Sequence, residues 1–206
     1  MAQTQSVKFT CFDLELEGLL DEQEGDKAVV VTHPHPLYGG DMHNIVVDSL
    51  ARAYVQSGYT CLRFNFRGVG KSKGLHDDGN GERDDILAAV AYLMDLGKKD
   101  IHLAGYSFGA WVAARTQWKI EPPPLLMVAP PVDMLSFDDV ESLPSLEMVI
   151  VGERDEFAPP YLIHDKVRKW NRSAKIIEIK GEDHFFFNMA PQLESTVMRH
   201  LRQREL

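Results

Sequence analysis

The sequence is poor in cysteine and in positive charge, and it has no long apolar run. Its two cysteines, Cys11 and Cys61, lie in apolar segments, where a thiol usually packs as a small hydrophobic group and forms no disulfide. No apolar run approaches the roughly 18 residues that span a bilayer, and residues 1–10 lack the charged and then apolar pattern of a signal peptide. We therefore expect a cytoplasmic protein with neither a disulfide scaffold nor a membrane partner.

The charge balance argues against a nucleic-acid partner. The 31 acidic residues outnumber the 22 lysines and arginines and give a formal net charge of −9, which repels a polyanion over most of the surface. The hydrophobic share of 44% is ordinary for a globular domain, and no linker or repeat divides the chain. We therefore predict a single domain over residues 1–206, as a monomer or a homodimer.

The order of the apolar segments predicts an α/β fold. Alternating apolar and polar residues over 7–20 indicate an N-terminal antiparallel hairpin. Six short apolar runs then predict strands buried on both faces: 28–31, 60–64, 101–104, 125–129, 148–151 and 176–179. Segments with helical spacing are 43–57, 82–96, 108–118, 160–170 and 189–203. This alternation predicts a mostly parallel sheet of about eight strands with helices on both faces, and functional side chains just after the strands.

One motif indicates a nucleophile. The segment 105–109, Gly-Tyr-Ser-Phe-Gly, follows a predicted strand and precedes a predicted helix. On such a turn a serine takes strained backbone angles that raise its hydroxyl above the sheet, and flanking glycines are needed because strand and helix pass too closely for a Cβ atom. Ser107 is therefore the candidate nucleophile. The alternative is a glycine-rich turn whose serine caps the helix.

A serine hydroxyl becomes nucleophilic when a histidine takes its proton and a carboxylate orients that histidine. Asp155 follows the predicted strand 148–151, and His184 follows the predicted strand 176–179. We therefore expect both side chains at the same edge of the sheet as Ser107. Three other carboxylates are rivals of Asp155: Asp133, Glu153 and Glu156. The run 185–187, Phe-Phe-Phe, is interpreted as core or pocket wall.

In this order and context, Ser107, Asp155 and His184 resemble the catalytic triad of the α/β-hydrolases. The chain is similar to that superfamily from end to end, and most to its small, lidless, dienelactone-hydrolase-like and esterase branch. Segments 33–40 and 64–72, which follow the third and fourth strands, add to the resemblance. Only the short segment 131–145 stands where many relatives insert a lid, so the resemblance implies no sizeable cap domain.

The resemblance implies a serine hydrolase that cleaves a small to medium carboxylic ester or thioester through an acyl-enzyme, without a metal or an organic cofactor. It also implies an oxyanion hole made by the backbone N–H of Phe108 and by one N–H of the loop after the third strand. Pro34 and Pro36 have no N–H, so Leu37 or His35 must serve, and Leu37 is preferred. The alternatives are a non-catalytic ligand-binding protein on the same scaffold and a peptidase or acyltransferase with the same triad.

Two further patterns are expected to be misleading. The segment 68–72 resembles the end of a phosphate-binding loop, but Asn65 stands where that motif needs glycine. A metal could in principle be gathered by four side chains: His33, His35, Asp41 and His43. The prolines and glycines between them fit the rim of a pocket equally well. We expect neither a nucleotide site nor a metal site.

Overall fold

A computed structural model describes residues 4–187 and 190–204 of the protein. The strands in these residues are β1 (Gln5–Cys11), β2 (Leu14–Asp21), β3 (Lys27–Thr32), β4 (Thr60–Phe64), β5 (Asp100–Tyr106), β6 (Leu125–Val128), β7 (Leu146–Gly152) and β8 (Lys175–Ile179). The α-helices are α1 (Ile45–Gln56), α2 (Asn80–Asp95), α3 (Phe108–Arg115), α4 (Pro160–Trp170) and α5 (Ala190–Arg204). A short 3₁₀ turn, Pro36–Tyr38, lies between β3 and α1.

All the described strands form one sheet in the order β1-β2-β4-β3-β5-β6-β7-β8. The pairs β1–β2 and β2–β4 are antiparallel, and every later pair is parallel. The predicted N-terminal hairpin and the mostly parallel sheet are therefore confirmed. Because β3 and β5 to β8 all point the same way, the loops that follow them gather at one edge of the sheet.

The central strands are buried along almost their whole length because helices cover both faces of the sheet. All four residues of β6 are buried, and so are six of the seven residues of β7. Both thiols lie in this core and are free, as expected. Burial raises the pKa of Cys11 to about 12, and it raises the pKa of Cys61 as well. Both sulfurs therefore stay protonated and unreactive at neutral pH.

Helix ends differ from the predicted ones where side chains bond to the backbone. Helix α1 begins at Ile45 because the Asn44 side chain accepts the Val46 N–H. Helix α2 begins at Asn80 because the buried carboxylate of Glu82 accepts the N–H of Gly79. Helix α3 ends at Arg115, well before the predicted 118, where Thr116 turns to an extended conformation. Residue 189, the predicted start of the last helix, lies outside the described residues.

The segment between β6 and β7, residues 129–145, contains turns but neither a helix nor a strand. The expected absence of a cap over the carboxyl edge of the sheet therefore agrees with the structure. In the part of the chain that the structure describes, no helix is long and apolar enough to cross a bilayer.

Candidate active site

The turn between β5 and α3 holds Ser107 in a conformation that non-glycine residues rarely adopt, with φ 52° and ψ −117°. A Cβ atom on Gly105 would lie 2.7 Å from the Cα of Ala110, and one on Gly109 would lie 2.7 Å from the carbonyl oxygen of His33. Both contacts are too short for real atoms, so the two glycines permit the close approach of strand and helix. The turn places the Ser107 hydroxyl at the mouth of a cavity.

The structure brings Ser107, His184 and Asp155 together. Ser107 Oγ lies 2.9 Å from His184 Nε2, and His184 Nδ1 lies 3.0 and 2.9 Å from the two carboxylate oxygens of Asp155. Asp155 Oδ1 also accepts the N–H groups of Phe157 and Ala158, which fix its carboxylate. Because Nδ1 faces a carboxylate, the ring proton belongs there, and Nε2 is left to accept the serine proton.

The three rival carboxylates are exposed, and among the described residues none of them hydrogen-bonds His184: Asp133, Glu153 and Glu156. Glu153 accepts the N–H of Gly181 at 2.8 Å. Of the acidic side chains in the described residues, Asp155 is the one that hydrogen-bonds His184.

Two aromatic side chains that the sequence did not single out hold His184 in place. The hydroxyl of Tyr106 donates to the carbonyl oxygen of His184 at 3.0 Å. Burial, with smaller contributions from Asp155 and Asp183, raises the pKa of Tyr106, so this hydroxyl remains a donor. The ring of Phe157 meets the His184 ring edge to face at 4.9 Å between centroids. Tyr106 sits inside the glycine–serine motif and Phe157 two residues after Asp155, so their positions beside the motif residues were the available signal.

The loop after β3 distinguishes the two candidates for the second oxyanion amide. The Leu37 N–H donates to Nδ1 of His35 at 3.3 Å, and the Leu37 side chain is 70% exposed. The His35 N–H has no acceptor among the described residues. The Phe108 N–H, at the first position of α3, has no partner within its helix. The free N–H groups beside the cavity therefore belong to His35 and Phe108, whereas Leu37, preferred from the sequence, uses its N–H inside the turn.

Two of the four residues considered as metal ligands, His33 and Asp41, bond to other groups of the protein. His33 is fully buried, its Nδ1 lies 2.7 Å from the carbonyl oxygen of Pro34, and its Nε2 accepts the N–H of Phe66. Both ring nitrogens are therefore occupied, and burial lowers the pKa of His33 to about 4. Asp41 accepts the N–H of His43. Within the described residues, no group of three or more His, Cys, Asp or Glu side chains is placed to hold a metal ion.

The glycine-rich segment 68–72 also bonds to a side chain of the protein itself. Glu17, on β2, accepts the N–H of Lys71 at 2.7 Å and the side-chain amide of Asn65 at 2.8 Å. A Cβ atom on Gly70 would lie only 2.3 Å from the same carboxylate oxygen. This loop therefore wraps around a carboxylate of the hairpin, in the place where a phosphate would have to sit.

A cavity of about 580 Å³ opens beside Ser107 and His184. Its lining is mainly apolar and includes Tyr38, Met134, Phe185 and Phe187. The run 185–187 is divided, because Phe186 is fully buried whereas its two neighbours are exposed into the cavity. The dimensions suit a small-molecule ligand.

Comparison with known proteins places this geometry in a family. A sequence profile of the alpha/beta hydrolase fold matches residues 27–116. The uncharacterized protein RP471 of Rickettsia prowazekii (strain Madrid E) is 35% identical in an alignment of 168 positions that covers 76% of this chain and 71% of that protein. An alpha-beta serine hydrolase homologue from Coxiella burnetii is 32% identical, with a TM-score of 0.88 over 98% of each chain. XC6422 from Xanthomonas campestris, a serine hydrolase without a lid, is also 32% identical, with a TM-score of 0.88 over 98% of this chain and 95% of that one.

The Xanthomonas protein has no lid, and among the described residues of this structure neither a helix nor a strand lies between β6 and β7. The identity to the Rickettsia protein and to both structures exceeds 30% over most of the chain. The chain belongs to the α/β-hydrolase superfamily.

Proposed function

We propose that the protein is a serine hydrolase that cleaves a small to medium carboxylic ester or thioester through an acyl-enzyme. One observation carries this proposal. The hydroxyl of Ser107, the ring of His184 and the carboxylate of Asp155 form a continuous hydrogen-bonded chain at the mouth of an apolar cavity. A hydroxyl, a base and an orienting carboxylate in that order are what nucleophilic acyl transfer requires.

In the first half of the reaction, Ser107 Oγ attacks the substrate carbonyl carbon while Nε2 of His184 takes the hydroxyl proton. The carbonyl oxygen becomes an oxyanion, and the N–H groups of His35 and Phe108 donate to it. Asp155 keeps the proton on Nδ1 and stabilises the imidazolium. When the bond to the leaving alcohol or thiol breaks, Nε2 returns the proton to it and the acyl group stays on Ser107.

Water completes the reaction by the same steps. His184 takes a proton from the water as its oxygen attacks the acyl carbon, and the second tetrahedral intermediate uses the same two N–H groups. Collapse breaks the bond to Ser107 Oγ, which regains its proton from Nε2. The products are the carboxylic acid and the alcohol or thiol, and the enzyme is unchanged.

Labelling with a fluorophosphonate probe tests the proposal, because an activated serine beside an oxyanion hole attacks tetrahedral phosphorus as it attacks an acyl carbon. We expect one labelled residue, Ser107, when the digested protein is analysed by mass spectrometry. The variant Ser107→Ala should lose both the label and the hydrolysis of aryl esters. Ser195→Ala, a surface change on α5, should keep both.

If the folded wild-type protein takes no label, the site is not a serine hydrolase and a non-catalytic binding role is favoured. Labelling at Ser107 with transfer of the acyl group to an added amine or alcohol in preference to water would instead indicate an acyltransferase. Labelling with cleavage of peptides but of no ester would indicate a peptidase.

A further inference from the structure

An exposed aromatic surface begins at the catalytic histidine and leads outward. The ring of Phe185 stands perpendicular to that of His184, with 5.6 Å between centroids. The ring of Phe187 stacks on Phe185 at 5.6 Å with an angle of 16°. These two side chains are 46% and 67% exposed, although both line the cavity. Asp183 accepts the N–H of Phe185 at 2.8 Å, which fixes the start of this surface.

Further exposed apolar side chains line the same cavity. Tyr38 is 75% exposed and Met134 is 48% exposed. Large apolar side chains that remain in contact with water beside a reactive centre favour the binding of a ligand that covers them, because the burial of apolar surface lowers the free energy. On a stacked pair of phenylalanine rings, an aromatic group of the ligand gains more binding free energy than an aliphatic group, since ring–ring contacts add to the burial of apolar area.

The charged residues that adjoin the cavity lining in the chain all have one sign. In the described part of the chain, none of the residues that line the cavity is Lys, Arg, Asp or Glu. The residues directly next to them in the chain include four carboxylates and no lysine or arginine. We name these four the acidic collar: Asp41, Asp133, Glu156 and Asp183. The net charge of the whole chain adds to their field.

We propose that the site takes uncharged esters or thioesters whose acyl part carries an aryl group, that this group lies against Phe185 and Phe187, and that the acidic collar rejects substrates carried on a phosphorylated thiol such as coenzyme A. This inference rests on the proposed function, and it chooses among the substrates which that function allows. The aryl group adds contact area next to the acyl carbon, whereas a phosphorylated carrier brings negative charge to a mouth that offers it no lysine or arginine in the flanking positions.

Two thioesters with the same acyl group isolate the effect of the carrier. Phenylpropanoyl-N-acetylcysteamine and phenylpropanoyl-coenzyme A have the same thioester bond and the same aryl group, but only the second carries phosphates. We expect kcat/KM to be at least 100-fold lower for the coenzyme A thioester, and the gap to narrow as ionic strength rises, because salt screens the repulsion. Values within threefold of each other at low salt overturn the inference.

Neutralising the collar should raise the relative activity toward the charged carrier. The double variant Asp133→Asn/Glu156→Gln removes two exposed carboxylates whose side chains make no hydrogen bond within the described residues. It should raise the ratio of kcat/KM for the coenzyme A thioester over the N-acetylcysteamine thioester at least fivefold. The control Glu24→Gln/Asp95→Asn makes the same change of charge at exposed sites outside the cavity and should leave the ratio as it is. Equal effects of the two double variants count against the collar.

The aromatic surface is tested by the ratio of kcat/KM for the phenylpropanoyl over the acetyl thioester of N-acetylcysteamine. Phe185→Ala and Phe187→Ala should each lower this ratio at least tenfold, while Phe187→Tyr should retain most of it because the ring is kept. Ile120→Ala, which removes an exposed apolar group from a different cavity at the amino ends of the strands, is the matched control.

Fluorophosphonate labelling separates the two levels of the proposal. If Ser107 is labelled but the aryl ratio does not respond to either Phe variant, or neither thioester of N-acetylcysteamine is turned over, the aryl inference is wrong and the serine-hydrolase proposal stands. If Ser107 is not labelled in folded protein, the proposed function itself is wrong.

Discussion

A single carboxylate orients the base of the proposed mechanism. Asp155→Asn should lower kcat by about 10⁴-fold, because an asparagine NH₂ group facing Nδ1 favours the ring tautomer that cannot accept the Ser107 proton. The remaining amide oxygen can still accept the N–H groups of Phe157 and Ala158, so the loop should keep its shape. The measurement is kcat on an aryl ester, with circular dichroism to confirm folding.

Asp133→Asn is the matched control for this prediction. Asp133 follows β6 and is exposed, and its backbone N–H bonds to the carbonyl oxygen of Phe157 without involving the side chain. Replacement of the Asp133 carboxylate should change kcat by no more than a few-fold. A large loss in Asp133→Asn together with a small one in Asp155→Asn would transfer the orienting role to Asp133.

At the scale of elements, the turn after β3 contains both candidates for the second oxyanion donor, the backbone N–H groups of His35 and Leu37. The backbone of His35 has φ −59°, an angle that proline also adopts, so His35→Pro removes the N–H without forcing the backbone. His35→Ala removes the ring but keeps the N–H. We expect kcat/KM of His35→Pro to be about 10² to 10³-fold lower than that of His35→Ala, the usual effect of losing one oxyanion donor.

The comparison of His35→Pro with His35→Ala is the informative one, since both lose the ring contacts with His76 and Phe108. Leu37→Ala keeps every backbone N–H and serves as the control for a change in the same turn. Equal kcat/KM for His35→Pro and His35→Ala would show that the His35 amide does not contact the oxyanion.

Strands and motif residues were predictable because their signals are local. An apolar run predicts a strand buried on both faces, and parallel strands align their carboxyl ends, so Ser107, Asp155 and His184 could be expected to meet. Helix ends depended on single bonds, such as the one from the Gly79 N–H to Glu82, that no periodicity reveals.

The finer features of the site depend on conformations that the pattern does not encode. The choice between Leu37 and His35 follows from whether the His35 ring turns back to accept the Leu37 N–H. Three consecutive phenylalanines are compatible with core as well as with pocket wall. Their division arises because Phe186 takes a positive φ of 54° and enters the core, leaving its neighbours at the cavity.

The whole molecule should lose stability in mild acid because of buried neutral histidines. Burial lowers the pKa of His33 and of His102 to about 4. An unfolded histidine binds a proton near pH 6.5, so between about pH 6.5 and pH 4 the unfolded chain holds more protons than the folded one. Each of the two should therefore reduce the free energy of unfolding by about 1.4 kcal/mol per pH unit within that window, with no such loss above it.

Urea unfolding of wild type and His33→Gln at pH 7, 6, 5 and 4.5 measures the His33 share. The variant should be less stable at pH 7, since the bonds to Pro34 and Phe66 are disturbed, and the difference from wild type should shrink as the pH falls. His164→Gln is the control, because His164 is exposed on α4 and its replacement removes no buried neutral ring. A constant difference for His33→Gln across the series contradicts the prediction.

Because its two native thiols are buried, the protein is suited to site-specific labelling at an introduced cysteine. Because Cys11 and Cys61 are protonated and shielded in the core, a maleimide reagent at neutral pH should react with them far more slowly than with an exposed cysteine. A dye attached through Tyr38→Cys, at the rim of the cavity, would then change its fluorescence when a ligand enters or leaves the cavity. The native cysteines would not have to be removed first.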